Sequence, residues 1–238
     1  DITTTATGDI DIDETDAITL TAVDTADGSI DVNAGGDITA TSVDTSATDD
    51  DANDITLTTT AGNITVWGIT AGLSGDVTLD SAGHIDENSD AAADISADTL
   101  TAIAATGSIT LDTAVDTADL KTTATGDIDI DETDAITLTA VDTADGDIDV
   151  TTTGGTITVW TVTAGSNGNV TFNSSATIDE DGIAGTVLTA SNLRADAVGP
   201  ITLDTAVDTA DLKTTATGDI DIDETDAITL TAVDTADG

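Results

Sequence analysis

Two long stretches of this chain are identical, and this repetition constrains the fold more than any other feature of the sequence. Residues 109–146 and 201–238 agree at all 38 positions, and residues 4–28 match residues 122–146 over 25 positions. Units that are copied almost unchanged, and added or removed as blocks, are typical of architectures in which each unit contacts only its neighbours. The chain is therefore expected to form a linear array and not a globule around one core.

Composition supports the same conclusion, because the chain lacks the large side chains that fill the centre of a globule. Hydrophobic residues make up 38% of the sequence, but only Trp67, Trp160 and Phe172 are aromatic. High net charge with few aromatic residues is typical of disorder, yet a disordered chain does not need the strictly regular placement of apolar residues found here. A thin core that is repeated many times fits both observations.

A short motif divides the repeats into segments. It consists of Gly, a polar residue and an apolar–polar–apolar run, as in Gly126-Asp-Ile-Asp-Ile. Alternation of this kind has the period of a β-strand with one buried face, and no stretch shows helical spacing. The sequence predicts an all-β protein, a parallel β-helix (β-solenoid) of about ten coils. Cutting at the motif, with one further cut before residue 54, gives coils of 19–32 residues: 8–27, 28–53, 54–74, 75–106, 107–125, 126–145, 146–167, 168–198, 199–217 and 218–237.

The repeats also predict which residues stack on each other in neighbouring coils. The inward side chains of segment 126–145 are expected to lie over those of segment 146–167. The same register places Asp129 opposite Asp149, at a strand spacing of about 4.8 Å. The expected inward pairs are Ile128 with Ile148, Ile130 with Val150, Ile136 with Ile157, Leu138 with Val159, and Val141 with Val162.

The charge balance excludes several classes of partner. The chain has 48 acidic residues against three basic ones, and a formal net charge of −45. Such a protein cannot neutralise phosphates, so we expect no nucleic-acid partner and no attraction to anionic membranes. No apolar run approaches the roughly 18 residues of a membrane span, so no membrane insertion is expected. The absence of cysteine excludes disulfides and thiolate metal sites. Because the sequence starts within a repeat and without Met, we expect a piece of a longer protein.

Serial segments of about 20 residues such as Gly62-Asn-Ile-Thr-Val, Gly107-Ser-Ile-Thr-Leu and Gly155-Thr-Ile-Thr-Val resemble the repeat regions of filamentous-haemagglutinin-type exoproteins. These are very large secreted adhesins of Gram-negative bacteria. The resemblance covers essentially the whole chain, although the chain is more acidic than is usual for that family. It implies a right-handed β-helical shaft at the cell surface or outside the cell.

Stacked carboxylates repel each other, so the acidic clusters are candidate cation ligands. Calcium accepts six to eight oxygen ligands in flexible geometry, which suits irregular corners. The alternative is a solvated acidic surface without specific sites. In the second cluster, Ala91 stands where a calcium-binding loop requires Gly, and the closing Glu is missing. The candidate ligands are Asp49, Asp50, Asp51 and Asp54 in the first cluster, and Asp86, Asn88 and Asp90 in the second.

Catalysis is not expected, because a general base or a charge-stabilising cation would have to come from very few side chains. The candidates are His84, Lys121, Arg194 and Lys213. Lys121 and Lys213 occupy equivalent repeat positions, and the third copy has Thr3 there. The lysine is therefore dispensable to the coil, and the chain is expected not to be an enzyme.

Trp67 and Trp160 occupy equivalent positions, each after Ile-Thr-Val. Either they are exposed, where they could stack on sugar rings or a neighbouring shaft, or they pack across a corner of their own coil.

The first hypothesis for function is a structural shaft of an extracellular fibre or cell-surface adhesin, with copies of itself or a cell-surface or polysaccharide ligand as partner. The second is a module that binds ice or polysaccharide. Four Thr-x-Thr pairs suggest the ice surface: Thr19 and Thr21, Thr56 and Thr58, Thr137 and Thr139, and Thr161 and Thr163.

Overall fold

The computed structural model describes residues 2–89, 92–180, 182, 185 and 187–236, with only the backbone described for residues 2–7. The described chain is entirely strand, turn and irregular structure, without helix. All strands pair in parallel within one continuous sheet, so the predicted all-β parallel β-solenoid is confirmed. The strands are β1 Ile2–Thr7, β2 Ile10–Glu14, β3 Ile18–Leu20, β4 Val23–Asp27, β5 Ile30–Ala34, β6 Ile38–Ala40, β7 Val43–Asp44, β8 Ile55–Thr59, β9 Ile64–Val66, β10 Ile69–Thr70, β11 Val77–Ser81, β12 Ile85–Glu87, β13 Ile95–Ala104, β14 Ile109–Thr122, β15 Ile128–Glu132, β16 Ile136–Thr143, β17 Ile148–Thr152, β18 Ile157–Val159, β19 Val162–Thr163, β20 Asn169–Ser174, β21 Ile178–Glu180, β22 Leu188–Ala197, β23 Ile201–Thr214, β24 Ile220–Glu224 and β25 Thr229–Thr235.

Residues that pair with each other in successive coils form long rows that run along the axis of the solenoid. One row, here called the Ile18 row, defines about ten turns and a rod roughly 50 Å long at the strand spacing. Its successive members lie between 17 residues apart (Leu193 to Ala210) and 26 residues apart (Ile38 to Ile64). The row consists of Ile18, Ile38, Ile64, Ile85, Ile109, Ile128, Ile148, Val170, Leu193, Ala210 and Leu230.

The core is a single column of small and medium apolar side chains. All five predicted inward pairs between segments 126–145 and 146–167 are confirmed by the strand register, and their ten side chains are buried. Phe172 is fully buried opposite Val150, so the one phenylalanine fills the core of its own turn. Each buried side chain stabilises the fold by about 1.5–3 kcal/mol, as an upper estimate. A single coil cannot offset the entropy of ordering about 20 residues, so stability comes from the stack.

Two of the predicted coils are not single turns. Segment 75–106 was expected to end where the motif Gly107-Ser-Ile begins, which would place Ile109 on Val77. In the structure Val77 pairs with Leu100, and Ile109 pairs with Ile85. The turn closes inside the ten-residue strand β13, where no glycine marks a corner.

Segment 168–198 behaves in the same way, because Val170 pairs with Leu193 and Ile201 pairs with Ile178. Each of these long segments therefore contains more than one turn. As a result, the Gly-x-Ile motif that follows a long segment lies on a different side of the rod from the motif that precedes it. Ile10 and Ile128 are equivalent in sequence, but Ile128 lies in the Ile18 row.

Candidate functional site

Residues that follow a corner glycine, from Asp37 to Asn169, form a polar column along one edge of the rod, and two further residues extend it. We call the whole column the corner ladder. In each rung between Asp37 and Asn169, a side-chain acceptor of one turn receives the backbone N–H of the next turn. Asn63 N–H donates to Asp37 Oδ1 at 2.8 Å, for example, and Ser108 N–H donates to His84 Nδ1 at 3.0 Å. Side-chain bonds continue the column from Asn169 through Asn192 to Thr209. The members are Asp37, Asn63, His84, Ser108, Asp127, Asp147, Asn169, Asn192 and Thr209.

The glycine before each ladder residue from Asp37 to Asn169 is required by the closeness of consecutive turns. A Cβ at Gly126 would lie 1.9 Å from the carbonyl oxygen of Gly107, and one at Gly146 would lie 2.0 Å from that of Gly126. Because a real Cβ cannot approach backbone so closely, the corner accepts only glycine at these turns. The Gly-x-Ile motif is thus a stacking device: glycine permits the approach, and the next residue binds the N–H that the approach brings in.

Inside the corners, buried hydroxyl and carboxylate groups satisfy the backbone. Thr122 Oγ1 donates to Gly126 O at 2.8 Å, and Thr143 Oγ1 donates to Gly146 O at 2.8 Å. Glu132, only 1% exposed, accepts from Thr113 Oγ1 at 2.8 Å and from Val115 N–H at 3.0 Å. Its second oxygen accepts from Asp134 N–H at 3.1 Å. Burial raises the pKa of the Glu132 carboxyl despite these bonds.

Aspartate side chains of the first predicted calcium cluster accept hydrogen bonds from backbone N–H groups. Asp49 has a positive φ of 45°, and its Oδ1 accepts from Leu73 N–H at 2.7 Å and from Ser74 N–H at 3.1 Å. Asp50 Oδ1 accepts from Ala52 N–H at 3.2 Å, whereas Asp51 is exposed in the same turn. Asp54 Oδ1 accepts from Asp76 N–H at 3.0 Å, as part of a second, shorter corner ladder. Asp49, Asp50 and Asp54 therefore hold the backbone of the loop and the corner through hydrogen bonds.

The two described members of the second predicted cluster, Asp86 and Asn88, make separate contacts with other residues of the rod. Asp86 lies on β12 and pairs with Thr65 of the preceding turn. Asn88 Nδ2 donates to Asp94 Oδ1 at 2.9 Å. Asp90 lies outside the described residues. Within the described part of the chain, no group of three or more His, Asp or Glu side chains is placed so that it could hold a metal ion.

Carboxylates stack directly on one another at the surface, as predicted for Asp129 and Asp149. Burial raises the pKa of Asp129, with a further contribution from the nearby charges of Asp131 and Asp127. Burial also raises the pKa of Asp149, and the charge of Asp129 adds to it. Two unit charges about 4.8 Å apart repel by about 0.9 kcal/mol in bulk water, and more strongly where the dielectric is lower. Repulsion within the acidic columns therefore destabilises the stacking of turns, whereas burial of the apolar core stabilises it.

Both tryptophans are half exposed, Trp67 at 54% and Trp160 at 48%. The valine before each is buried, so each indole leaves the rod at the corner that follows a three-residue strand. They do not share one side of the rod. The strand before Trp67 contains Ile64, whose row passes through Ile148, whereas the strand before Trp160 pairs with Ile136.

The threonine pairs do not form a uniform array. Thr56 lies between Asp31 and Thr78, and Thr58 lies between Asn33 and Asp80. One column holds four threonines in succession before Asp179 is reached: Thr99, Thr117, Thr137 and Thr158. Thr-x-Thr ladders are therefore short and interrupted by carboxylates.

The basic side chains considered for catalysis hydrogen-bond to, pair with or lie beside other residues of the rod. His84 accepts a ladder hydrogen bond, and Lys121 Nζ lies 2.6 Å from Asp142 Oδ2. Arg194 pairs with Asp196, and Lys213 lies between Asp196 and Asp234 in its column. No helix long and apolar enough to cross a membrane occurs among the described residues.

The corner ladder is the arrangement that sequence reasoning missed, although a signal for it was present. The residue after the motif glycine is Asp, Asn, Ser or His at successive turns of the ladder, and all four carry an acceptor within reach of a backbone N–H.

Comparison with known proteins adds no relative: no protein-family description, no curated protein and no solved structure matches this chain.

Proposed function

We propose that this chain is a structural shaft segment of an extracellular fibre or cell-surface adhesin and has no catalytic role. The observation that carries the proposal is the continuous parallel stack itself, in which each turn binds only the turns before and after it. Such a stack spans distance in proportion to the number of turns. The resemblance of the Gly-x-Ile-Thr segments to adhesin repeats supports the same role and location.

The corner ladder supports a shaft because it strengthens the joint between turns with side-chain bonds. Each rung adds a bond in which a side chain, often a carboxylate, accepts from the following turn. Stabilisation by cations, including calcium, belongs to this proposal, because it would relieve the repulsion within acidic columns such as Asp129 over Asp149.

The role is tested by measuring length under load. Cysteines at Asp37 and Thr209, the two ends of the corner ladder, lie eight turns apart, which is roughly 38 Å at the strand spacing. Single-molecule stretching between them should show a constant length and then release turn by turn. An extension that begins without a threshold force would contradict a shaft.

A second candidate is favoured by the exposed indoles, namely binding to a polysaccharide surface. A glycan array would detect it, with Trp67→Ala and Trp160→Ala as variants that remove half-exposed side chains. Binding that both variants abolish would establish this module. Ice-recrystallisation inhibition tests the ice alternative, which needs a more regular threonine array than this surface offers.

A further inference from the structure

Each exposed tryptophan has an outward carboxylate on the following turn. Thr65 pairs with Asp86, and Trp67 lies two residues after Thr65, so strand alternation places it on the same outward side. The backbone of Trp67 is fixed to the preceding turn, because its N–H donates to Ala40 O at 2.8 Å. Two residues along the strand and one turn across give Trp67 and Asp86 a backbone spacing of about 8 Å.

The second unit of the chain repeats this arrangement. Thr158 pairs with Asp179, and the N–H of Trp160 donates to Leu138 O at 2.9 Å. Trp160 lies two residues after Thr158, so its indole and the Asp179 carboxylate have the same relationship as in the first unit. We call the tryptophan and the aspartate of each unit an indole–carboxylate pair.

The two pairs are unchanged between the units, whereas their surroundings differ. Residues 55–79 are equivalent to residues 148–172, and 10 of these 25 positions differ. One of them is Leu73, which is 80% exposed and is replaced by Ser166 in the second unit. An exposed side chain that only adds apolar area therefore varies between the units. The indole is also exposed but is the same in both, which points to a role at the surface.

We propose that each indole–carboxylate pair binds a lysine or arginine side chain of a flexible, basic polypeptide segment. An ammonium or guanidinium group over an indole is attracted by the negative face of the ring. The carboxylate on the neighbouring turn accepts a charge-assisted hydrogen bond from the same group. Such a partner would be bound whether or not the rod serves as an extracellular shaft.

The charge of the chain decides between the possible occupants of this surface. With 48 acidic residues against three basic ones, the rod attracts cations and repels anionic polymers. A second copy of the chain carries the same charge and is repelled as well. A neutral glycan gains stacking on the indole, but it gains nothing from the charge of the carboxylate or from the field of the rod. A basic segment gains from all three.

The positions of the pairs favour a flexible segment over a folded partner. The Ile18 row reaches Ile148 four turns after Ile64, so the two indoles are separated by roughly 20 Å along the axis. They also lie on different sides of the rod. One flat, rigid surface cannot cover both pairs, whereas an extended chain can reach both or two chains can bind one each.

Titration of the full chain with a terminally blocked octa-lysine peptide, and separately with octa-arginine, tests the proposal at an ionic strength of about 0.15 M. Isothermal titration calorimetry gives the affinity. Fluorescence reports on the site, because the two tryptophans are the main fluorophores in a chain without tyrosine. The first variant carries Trp67→Leu and Trp160→Leu, which keep an apolar side chain but remove the indole face. Circular dichroism verifies that each variant is folded.

The second variant carries Asp86→Asn and Asp179→Asn. Its control carries Asp116→Asn and Asp208→Asn, which remove the same charge from two exposed positions that are equivalent in the identical repeats. Both control positions lie two turns or more from either indole. The comparison separates pairing at the site from general attraction to an acidic rod.

We expect both peptides to change the tryptophan emission, and the indole variant to bind them about 2- to 5-fold more weakly per site. The second variant should lose more affinity than its control. Equal losses in these two aspartate variants, with no loss in the indole variant, would show that only net charge acts and would overturn the proposal, as would the absence of peptide binding. A neutral cello-oligosaccharide that displaces the peptides from the indoles would assign the surface to a polysaccharide instead.

Discussion

Ser108 donates its backbone N–H to Nδ1 of His84, across the boundary between two turns, at 3.0 Å. His84 therefore occupies a position that Asp, Asn or Ser fills in the neighbouring rungs, and its Nδ1 serves as the acceptor. This relationship explains how a lone histidine in an acidic chain contributes to the stack.

Replacing His84 by alanine is expected to lower the free energy of unfolding by about 1 kcal/mol, because Ser108 N–H loses its acceptor. His84→Asn should retain most of the stability, since Asn63 Oδ1 accepts the backbone N–H of the following turn in the same way. Urea titration followed by circular dichroism measures both variants. Equal losses in the two variants would show that the rung contributes nothing.

The buried carboxylate predicts a larger effect. Glu132→Ala leaves Val115 N–H, Asp134 N–H and the Thr113 hydroxyl without their acceptor, which should cost about 2–4 kcal/mol. The control is Asp131→Ala on the same strand, because Asp131 is the neighbouring carboxylate and is exposed. Its loss should stay below about 1 kcal/mol. Thermal melts that rank the two variants in the opposite order would contradict the assigned role of Glu132.

The corner glycines provide another matched pair. Gly126→Ala places a methyl group 1.9 Å from Gly107 O and should destabilise by about 1–3 kcal/mol through forced backbone movement. Gly68→Ala is the control, because its added Cβ would lie 3.3 Å from the nearest atom, the carbonyl oxygen of Thr41. Denaturant midpoints should therefore fall for Gly126→Ala and change less for Gly68→Ala. A similar fall in both would point to glycine's backbone freedom and not to the close approach.

Removal of a whole turn should be tolerated. Residues 28–53 lie between Ile10 and Ile55, which each pair with Ile30. Their deletion should leave a folded rod shorter by about 4.8 Å. Deleting residues 28–40 alone should shift inward and outward positions and unfold neighbouring turns. Small-angle scattering and circular dichroism compare the two; equal unfolding by both would mean that 28–53 is not an independent turn.

Stability should rise as pH falls from 7 towards 5. The pKa values of Asp31, Asp98, Asp129, Glu132 and Asp149 are all raised in the fold, with burial as the largest cause. A raised carboxyl pKa means that the native state binds protons more tightly than the unfolded chain. The cost of the charge is present in full above the folded pKa and is relieved as pH falls through it. Thermal melts across this range provide the measurement, and a falling melting temperature would contradict the assignment.

Salt should also stabilise the fold at neutral pH, because screening weakens repulsion along the acidic columns. Sodium chloride is expected to raise the melting temperature above that in chelator alone. Calcium at matched ionic strength distinguishes specific binding, because ions bound only by the native state stabilise it further by mass action. Equal melting temperatures in calcium and matched sodium would leave screening as the whole effect.

The sequence was sufficient for the solenoid and for the register where glycine marks each turn, as with Ile128 on Ile148. It was insufficient where a turn closes within one continuous strand, as at Leu100, because no glycine marks that corner. The cation-ligand role of the acidic clusters stays a prediction. The hydrogen bond from Leu73 N–H to Asp49 was not predicted, because it depends on three-dimensional proximity that charge counting does not convey.

The side-chain rungs of the corner ladder all have the same direction, with the acceptor on the earlier turn and the donor on the later one, as in His84 and Ser108. Backbone bonds at the same corners run the other way, as Ile85 N–H donates to Ser108 O at 2.9 Å. Each turn thus offers side-chain acceptors to the turn after it and backbone carbonyls to the turn before it, so the rod has a chemical polarity along its axis.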